Sequence, residues 1–452
     1  MFLNLLFFAV SLFAGVPPSD RIVVMISVDG LPADYLDDPK ADLPTIRAIA
    51  AGGARAKGMT AVSPTVTWPN HTTLVTGVYP GRHGVVGNNF LDRATGKHVV
   101  LLSDPVLDKD EIVRAPTIYD LAHAAGLKSA AIRWPASRNA RTLDWTIPDV
   151  KLIDLLEKYS TPALLKDVET AGIELFDKND PKVKAGTEPV PSDDVCVRVF
   201  NLLLHNHRPN LALLHLVDVD HIEHTEGPRT REAYAAAKKA DGQVREVWDQ
   251  LQRDFPGKAT LFVVSDHGFS ATKKFVLPNV VLRKAGLIVM SGKKEISSPV
   301  HVVVQGGAAM VYIRDPANRS DVAARVKKAF RGVDGVSKVV GPEDLEKYGI
   351  ADSKDDPHSP DMLLFAKEGF AFGDTAAGDF PYEQKPERKG GHGHDPSIPH
   401  LHATFVAWGE GINSGTRLGT ISNLSIAPTI AKLLGFSIPN AQGKPLGDIL
   451  SD

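Results

Sequence analysis

A single cysteine, Cys196, in 452 residues excludes an intramolecular disulfide and any metal site built on several thiolates. A bound cation would have to rest on nitrogen and oxygen. Charge of one sign is also missing: 51 Lys and Arg against 54 Asp and Glu leave a net charge of -3. That balance gives no basic footprint for a nucleic acid polymer, although it leaves a nucleotide open as a small substrate. Past the start of the chain, no segment reaches the ~18 uninterrupted apolar residues of a membrane span, so stable membrane insertion is not expected. Repeats and low-complexity tracts are absent. What is present, 43% hydrophobic and 23% charged residues, is the composition of a globular chain with ample core. Its length exceeds the ~100 to 200 residues of an ordinary domain, as happens when an α/β enzyme accepts an insertion into one core.

The first residues, Met1 to Pro18, combine an apolar run with small residues but place no Lys or Arg before it. They are expected to form a signal peptide, with an exported, periplasmic or extracellular protein as the consequence. Beyond them, Arg21 to Val28 is a continuous apolar run ending at Asp29-Gly30, the pattern of a buried parallel strand with a carboxylate at its C-terminal tip. The pattern returns at Asn210 to Val217, followed by Asp218 and Asp220, and at Ala259 to Ser265, followed by Asp266-His267. Helices are expected over Leu43–Ala51, Pro116–Ala125, Ser192–His205 and Arg229–Arg253. Strands alternating with helices imply an α/β fold, a largely parallel central sheet covered on both faces. The catalytic core is expected over 19–275 and 391–452. Between them, 276–390 breaks the rhythm and is expected to be an inserted cap, with strands near Val302 and Ala309, a helix at Asp321–Phe330 and a polar loop near Ser353–Pro360.

Taken singly, an Asp at a strand tip more often caps the next helix than binds anything. Here Asp29, the pair Asp220 and His224, the pair Asp266 and His267, and His392 in Gly390-Gly-His-Gly-His-Asp recur as one set of oxygen and imidazole donors. Such a set suits zinc, and less specifically manganese or iron. The spacing of four between Asp220 and His224 fits one helical face or a turn. Thr67 lies just before Pro69, where a helix start would offer free amides and a favourable dipole to an anion. A threonine there is commonly only a cap, and the ligand set shifts the balance towards a reactive hydroxyl.

With these residues in place, the chain after the leader resembles the nucleotide pyrophosphatase/phosphodiesterase branch of the alkaline phosphatase superfamily. The motifs occur in order: Asp29-Gly30, then Pro64-Thr-Val-Thr-Trp-Pro-Asn-His71, Tyr79-Pro-Gly-Arg-His-Gly84, Asn88, Asp220 with His224, Asp266-His267-Gly268 and His392-Gly-His-Asp. Two departures stand out: Glu223 where the family usually has glycine, and Val219 where it has proline. The resemblance implies an alkaline-phosphatase-like core and two divalent ions, zinc foremost. Thr67, Asp29, Asp266 and His267 would hold one ion; Asp220, His224 and His392 would hold the other. It further implies Thr67 as the nucleophile of a phospho-threonine intermediate and Asn88, or its neighbour Asn89, as a donor to a phosphoryl oxygen. The expected activity is hydrolysis of a small phosphate ester of the diester or nucleotide pyrophosphate type.

Alternatives remain at this level. Arg133 and Arg138 could serve a phosphomonoesterase, and a phosphonate hydrolase would use the same metals. A sulfatase fits less well, because Cys196 lies outside any such motif. A catalytically idle, metal-stabilised binding protein is a further reading. Asp218, His215 and His221 flank the ligands, and hydrogen bonding in the core or to a ligand suits them better than holding a metal. His71 and His83 suit support of the Thr67 loop; His394, His400 and His402 are competitors for His392. Trp68 suits either a buried position or a flat substrate group, and Lys238-Lys239 a solvated helix face. Sequence says nothing of the natural substrate or the oligomeric state.

Overall fold

Seven consecutive buried residues, Ile22–Val28, form the strand on which the molecule is built. Its side chains alternate, Val24, Ile26 and Val28 entering one apolar cluster and Val23 and Met25 the other, so both faces of the strand are covered. The computed structural model describes residues 16–102, 107–150, 152–177, 179–184, 191–291, 294–384 and 389–451. All but the last three residues of the expected signal peptide lie outside that set.

The Ile22–Val28 strand pairs in parallel with Leu211–Leu216 on one side and Ala259–Val264 on the other. Among the described residues this sheet has eight strands, in the order Thr416–Ser422, Ala54–Thr60, Phe405–Gly409, Ala259–Val264, Ile22–Val28, Leu211–Leu216, Ser129–Ile132, Trp145–Ile147. Only Phe405–Gly409 runs against its neighbours. The sheet is therefore mixed and mostly parallel. Helices Pro44–Gly52, Asp193–His207 and Arg231–Asp254 cover one face, the last with Ala233, Ala237, Ala240, Val244, Val247 and Leu251 turned inward at helical spacing. Thr67–Thr76, Ile118–Ala124 and Ile426–Leu433 cover the other.

The chain between 276 and 390 departs from that scheme. Val300–Gln305, Ala308–Ile313, Met362–Ala366 and Val336–Val340 form an antiparallel sheet of four strands, against which helix Arg319–Ala329 packs through Val322 and Val326. Its other face meets Val85, Val86, Phe90 and Leu101. The polar stretch expected as a loop near 353–360 is pinned rather than free: Asp356 accepts from Arg114 at 2.6 Å, and the following Asp361 accepts from Arg93 at 2.6 Å. A third sheet centres on Ser270–Val276, which pairs with Gly369–Phe372, Tyr382–Gln384 and Gly390–Gly391. That last pairing brings the segment before His392 alongside the residues that follow Asp266-His267. Among the described residues, no helix is long and apolar enough to cross a membrane.

Candidate active site

Three neighbouring parallel strands end on the same edge of the sheet. Asp29 follows the central strand, Asp266 and His267 follow Ala259–Val264, and Leu216 leads into helix Asp218–Glu226. Asp220 and His224 lie one turn apart on that helix and face the same way, with Asp220 Oδ1 3.5 Å from His224 Nε2. Gly30 makes the tight exit possible. Its φ is +73°, and a Cβ there would come within 2.9 Å of the Phe269 ring and 3.2 Å of the Asp220 backbone.

Two triads result. Asp29, Asp266 and His267 form one, with His267 Nε2 3.5 Å from Asp29 Oδ1 and 3.1 Å from Asp266 Oδ2. Asp220, His224 and His392 form the other, with His392 Nε2 3.4 Å from Asp220 Oδ1 and 3.1 Å from His224 Nε2. The rings of His267 and His392 stack with centroids 3.7 Å apart, so the two triads are adjacent.

The donor chemistry fits a pair of cations. His224 Nδ1 faces the Gly390 carbonyl at 3.0 Å, His392 Nδ1 that of Thr65 at 2.9 Å, and His267 Nδ1 that of Gly268 at 3.2 Å. Carbonyls only accept, so each Nδ1 carries the proton and each Nε2 turns a lone pair inward. Asp29 Oδ1, Asp220 Oδ1, Asp266 Oδ2 and His267 Nε2 are buried without a hydrogen-bond partner. Lone pairs facing lone pairs repel, and a buried orphan acceptor is costly. A divalent ion in each triad removes both penalties. The opposite edges of the ligands are held: Gly30 N–H donates to Asp266 Oδ1 at 3.1 Å, and His215 Nε2 lies 3.0 Å from Asp29 Oδ2. Burial, followed by the charge of Asp220, holds the Asp29 carboxyl well above its usual range; burial and then Asp29 do the same to Asp266. Two acids so placed call for positive charge.

Thr67 opens helix Thr67–Thr76, with extended Val66 in the capping position. Its backbone carbonyl meets His71 Nδ1 at 2.9 Å, and Asn70 ties the preceding loop by donating to Val66 O at 2.8 Å and accepting from Val62 N–H at 2.7 Å. Asn88 Oδ1 accepts from Trp68 N–H at 2.9 Å, which leaves its Nδ2 as the outward donor. Thr67, Asn88 and Asn89 line one cavity of about 350 Å³ with Asp29, Asp220, His224 and His392. Asp266 and His267 are fully buried and do not line it.

His215, His221 and Arg133 line the same cavity without joining a triad, and the remaining candidates fall elsewhere. Asp218 pairs with Lys239 at 2.9 Å and Lys238 with Asp42 at 2.8 Å. His394 Nε2 faces the Phe370 carbonyl at 2.7 Å, and neither it nor His400 or His402 joins a triad. Trp68 packs with Val85, Val86 and Phe90 in the core and does not line the cavity. Glu223 leaves the helix intact: it is fully buried on the side away from the cavity, accepting from the Tyr35 hydroxyl. Sequence inspection missed Tyr35 and Gln305, whose contacts come from distant segments.

A family described as type I phosphodiesterase / nucleotide pyrophosphatase has a sequence model that matches residues 23–395. The chain belongs to that family. As a type I phosphodiesterase family member it is similar to ectonucleotide pyrophosphatase/phosphodiesterase family member 1 of Homo sapiens, 26% identical over 426 residues, covering 92% of this chain and 40% of the human protein. Venom phosphodiesterase of Macrovipera lebetinus is 28% identical over 247 residues, covering 54% of this chain and 25% of the venom protein. The chain thus spans well under half the length of these curated relatives. In fold it resembles murine ectonucleotide pyrophosphatase/phosphodiesterase 5, solved as an inactive threonine-to-alanine variant with AMP, at a TM-score of 0.71 and 20% identity over 95% of this chain and all of that one.

Proposed function

We propose that this chain hydrolyses phosphoric diesters of the nucleotide pyrophosphate or phosphodiester type through a phospho-threonine at Thr67, with a zinc ion in each triad. The pairing of two triads, in which Asp29 Oδ1, Asp220 Oδ1, Asp266 Oδ2 and His267 Nε2 are buried without a hydrogen-bond partner, at the cavity that Thr67 lines, carries this reading. The residues 276–390 would be the inserted cap that shapes the pocket wall. Export, as the apolar start suggests, belongs to the same proposal; relatives named as ectoenzymes and venom proteins support it.

Bound cations supply positive charge to phosphoryl oxygens and lower the pKa of a coordinated hydroxyl. The chain supplies the rest. Thr67 sits at a helix N-terminus, where the dipole favours both an alkoxide and a phosphate. Its Oγ, its proton having passed to solvent, forms a bond to phosphorus as the opposite ester oxygen leaves with the electron pair of the broken bond and takes up a proton from solvent. Asn88 Nδ2 donates to a phosphoryl oxygen throughout. Water then attacks phosphorus, restoring the threonine hydroxyl and releasing the phosphate product.

A diester is favoured over a monoester by the state of the arginines. Arg133, the one Lys or Arg on the described cavity wall, is engaged by Asp193 at 3.3 Å and by the Pro191 carbonyl at 3.0 Å, and Arg138 pairs with Asp108 at 2.8 Å. Neither is free to meet the extra charge of a monoester. Thr67→Ala should lower turnover of bis(4-nitrophenyl) phosphate by at least about 10³-fold while retaining bound metal. Unchanged turnover removes Thr67 from the chemistry, and a preference of the parent enzyme for 4-nitrophenyl phosphate overturns the diester assignment.

A further inference from the structure

The turn Gln305-Gly306-Gly307 joins the hairpin strands Val300–Gln305 and Ala308–Ile313, and it reaches the site from the inserted sheet. Its tip is wedged between two functional segments. On one side, Gly307 N–H donates to the His392 carbonyl at 2.7 Å, and a Cβ on Gly393 would lie 1.9 Å from the Gln305 carbonyl oxygen. Glycine at 393 is thus a condition for the approach. On the other side, Gln305 Oε1 accepts from Asn88 N–H at 3.1 Å, while Gln305 Nε2 donates to the Asn89 carbonyl at 2.7 Å and also to Asn89 Oδ1. These contacts fix the amide orientation, because a backbone N–H requires oxygen and a carbonyl requires nitrogen. Gln305 is 3% exposed, so no solvent competes.

We infer that Gln305 is a positioning residue for the phosphoryl-transfer step: it clamps the backbone N–H of Asn88 and the carbonyl of Asn89 so that Asn88 Nδ2 is aimed at the phosphoryl oxygen. Asn88 is restrained from two directions. Trp68 N–H holds its side-chain oxygen and Gln305 holds its backbone, leaving one way for the NH2 group to point. A donor set by two restraints bears most on the transition state, where small displacements cost rate. The inference rests on the proposed role of Asn88.

A double-mutant cycle on the zinc-loaded full chain tests it, with steady-state hydrolysis of bis(4-nitrophenyl) phosphate as the readout. Asn88→Ala should lower kcat about 10²-fold. Gln305→Ala should lower kcat about 10-fold with KM changed less than about 2-fold, metal content being equal to the parent. In the Asn88→Ala background, the same Gln305 substitution should cost less than about 2-fold, because the donor it aims is gone. Should Gln305→Ala misfold, Gln305→Met preserves volume while deleting all three hydrogen bonds of the amide and should give the same pattern. Equal losses in the two backgrounds, or full activity of Gln305 variants where Asn88→Ala is crippled, overturn this inference alone. A silent Asn88→Ala overturns the Asn88 assignment and the inference together.

Discussion

Buried polar residues around the triads differ in what they ask of their neighbours. Glu223 shows this most sharply, since burial holds its carboxyl well above the usual range, and the Tyr35 hydroxyl donates to it. Tyr35 in turn accepts from Arg229 N–H at 2.8 Å, so the carboxyl closes a chain that fastens the end of helix Asp218–Glu226. A neutral amide can accept the same hydrogen bond, so Glu223→Gln should keep the melting temperature and turnover close to the parent. Glu223→Ala strands the Tyr35 hydroxyl and should cost about 1–3 kcal/mol in denaturant unfolding. Equal destabilisation by both substitutions would show that the charged form is the one required. At this scale the sequence was informative where a ligand type recurs at strand tips. Asp29, Asp220, His224, Asp266, His267 and His392, named from such a pattern, fall into the two triads. Gln305 left only a faint trace, one polar residue closing the apolar run Val302-Val-Val and followed by two glycines. Its partners lie 216 and 217 positions away, beyond any local spacing rule.

Among elements, helix Thr67–Thr76 and the turn Pro80–Gly84 are joined by one histidine. His83 Nδ1 accepts from Val85 N–H at 3.2 Å, so its Nε2 carries the proton and donates to Thr73 Oγ1 at 3.0 Å. Burial, with the Arg114 charge adding to it, pushes His83 down to about 3. Unfolding releases a histidine of ordinary pKa, about 6.5, so the unfolded chain takes up the proton first as pH falls. The neutral ring therefore contributes stability that is complete above about pH 6.5 and is lost on acidification towards 3. Replacing it by glutamine, His83→Gln, should flatten the fall of melting temperature between about pH 6 and 4 relative to the parent; parallel curves would contradict the neutral assignment. The expected helices were legible from apolar periodicity, ending within a few residues of those observed. The reversed direction of Phe405–Gly409 was not legible. An apolar run carries no direction, and the reversal follows from pairing with residues far away in the chain.

At the scale of the molecule, the triads gather residues from four separated segments, 29, 220–224, 266–267 and 392. Cations bound there would join strand ends to the third sheet and would stabilise the folded state by mass action, about 2.7 kcal/mol per site at a free concentration of 100 Kd. Chelation should abolish turnover and lower the melting temperature, and added zinc should restore both; activity surviving exhaustive chelation would exclude metal from the reaction. The α/β class was visible in the alternation of strands and helices. How residues 276–390 meet the segments around the triads was not, because the hairpin tip at 305–307 and the His392 loop touch through backbone atoms, which residue identity does not encode. The most direct test of a paired-cation centre beside Thr67 is anomalous diffraction at the zinc edge from crystals grown with zinc. Two peaks are predicted, one among Asp29, Asp266 and His267 and the other among Asp220, His224 and His392, about 4 Å apart and with the Thr67 hydroxyl oxygen within bonding reach of the first. A single peak, or a pair lying away from that oxygen, would contradict the two-cation threonine mechanism.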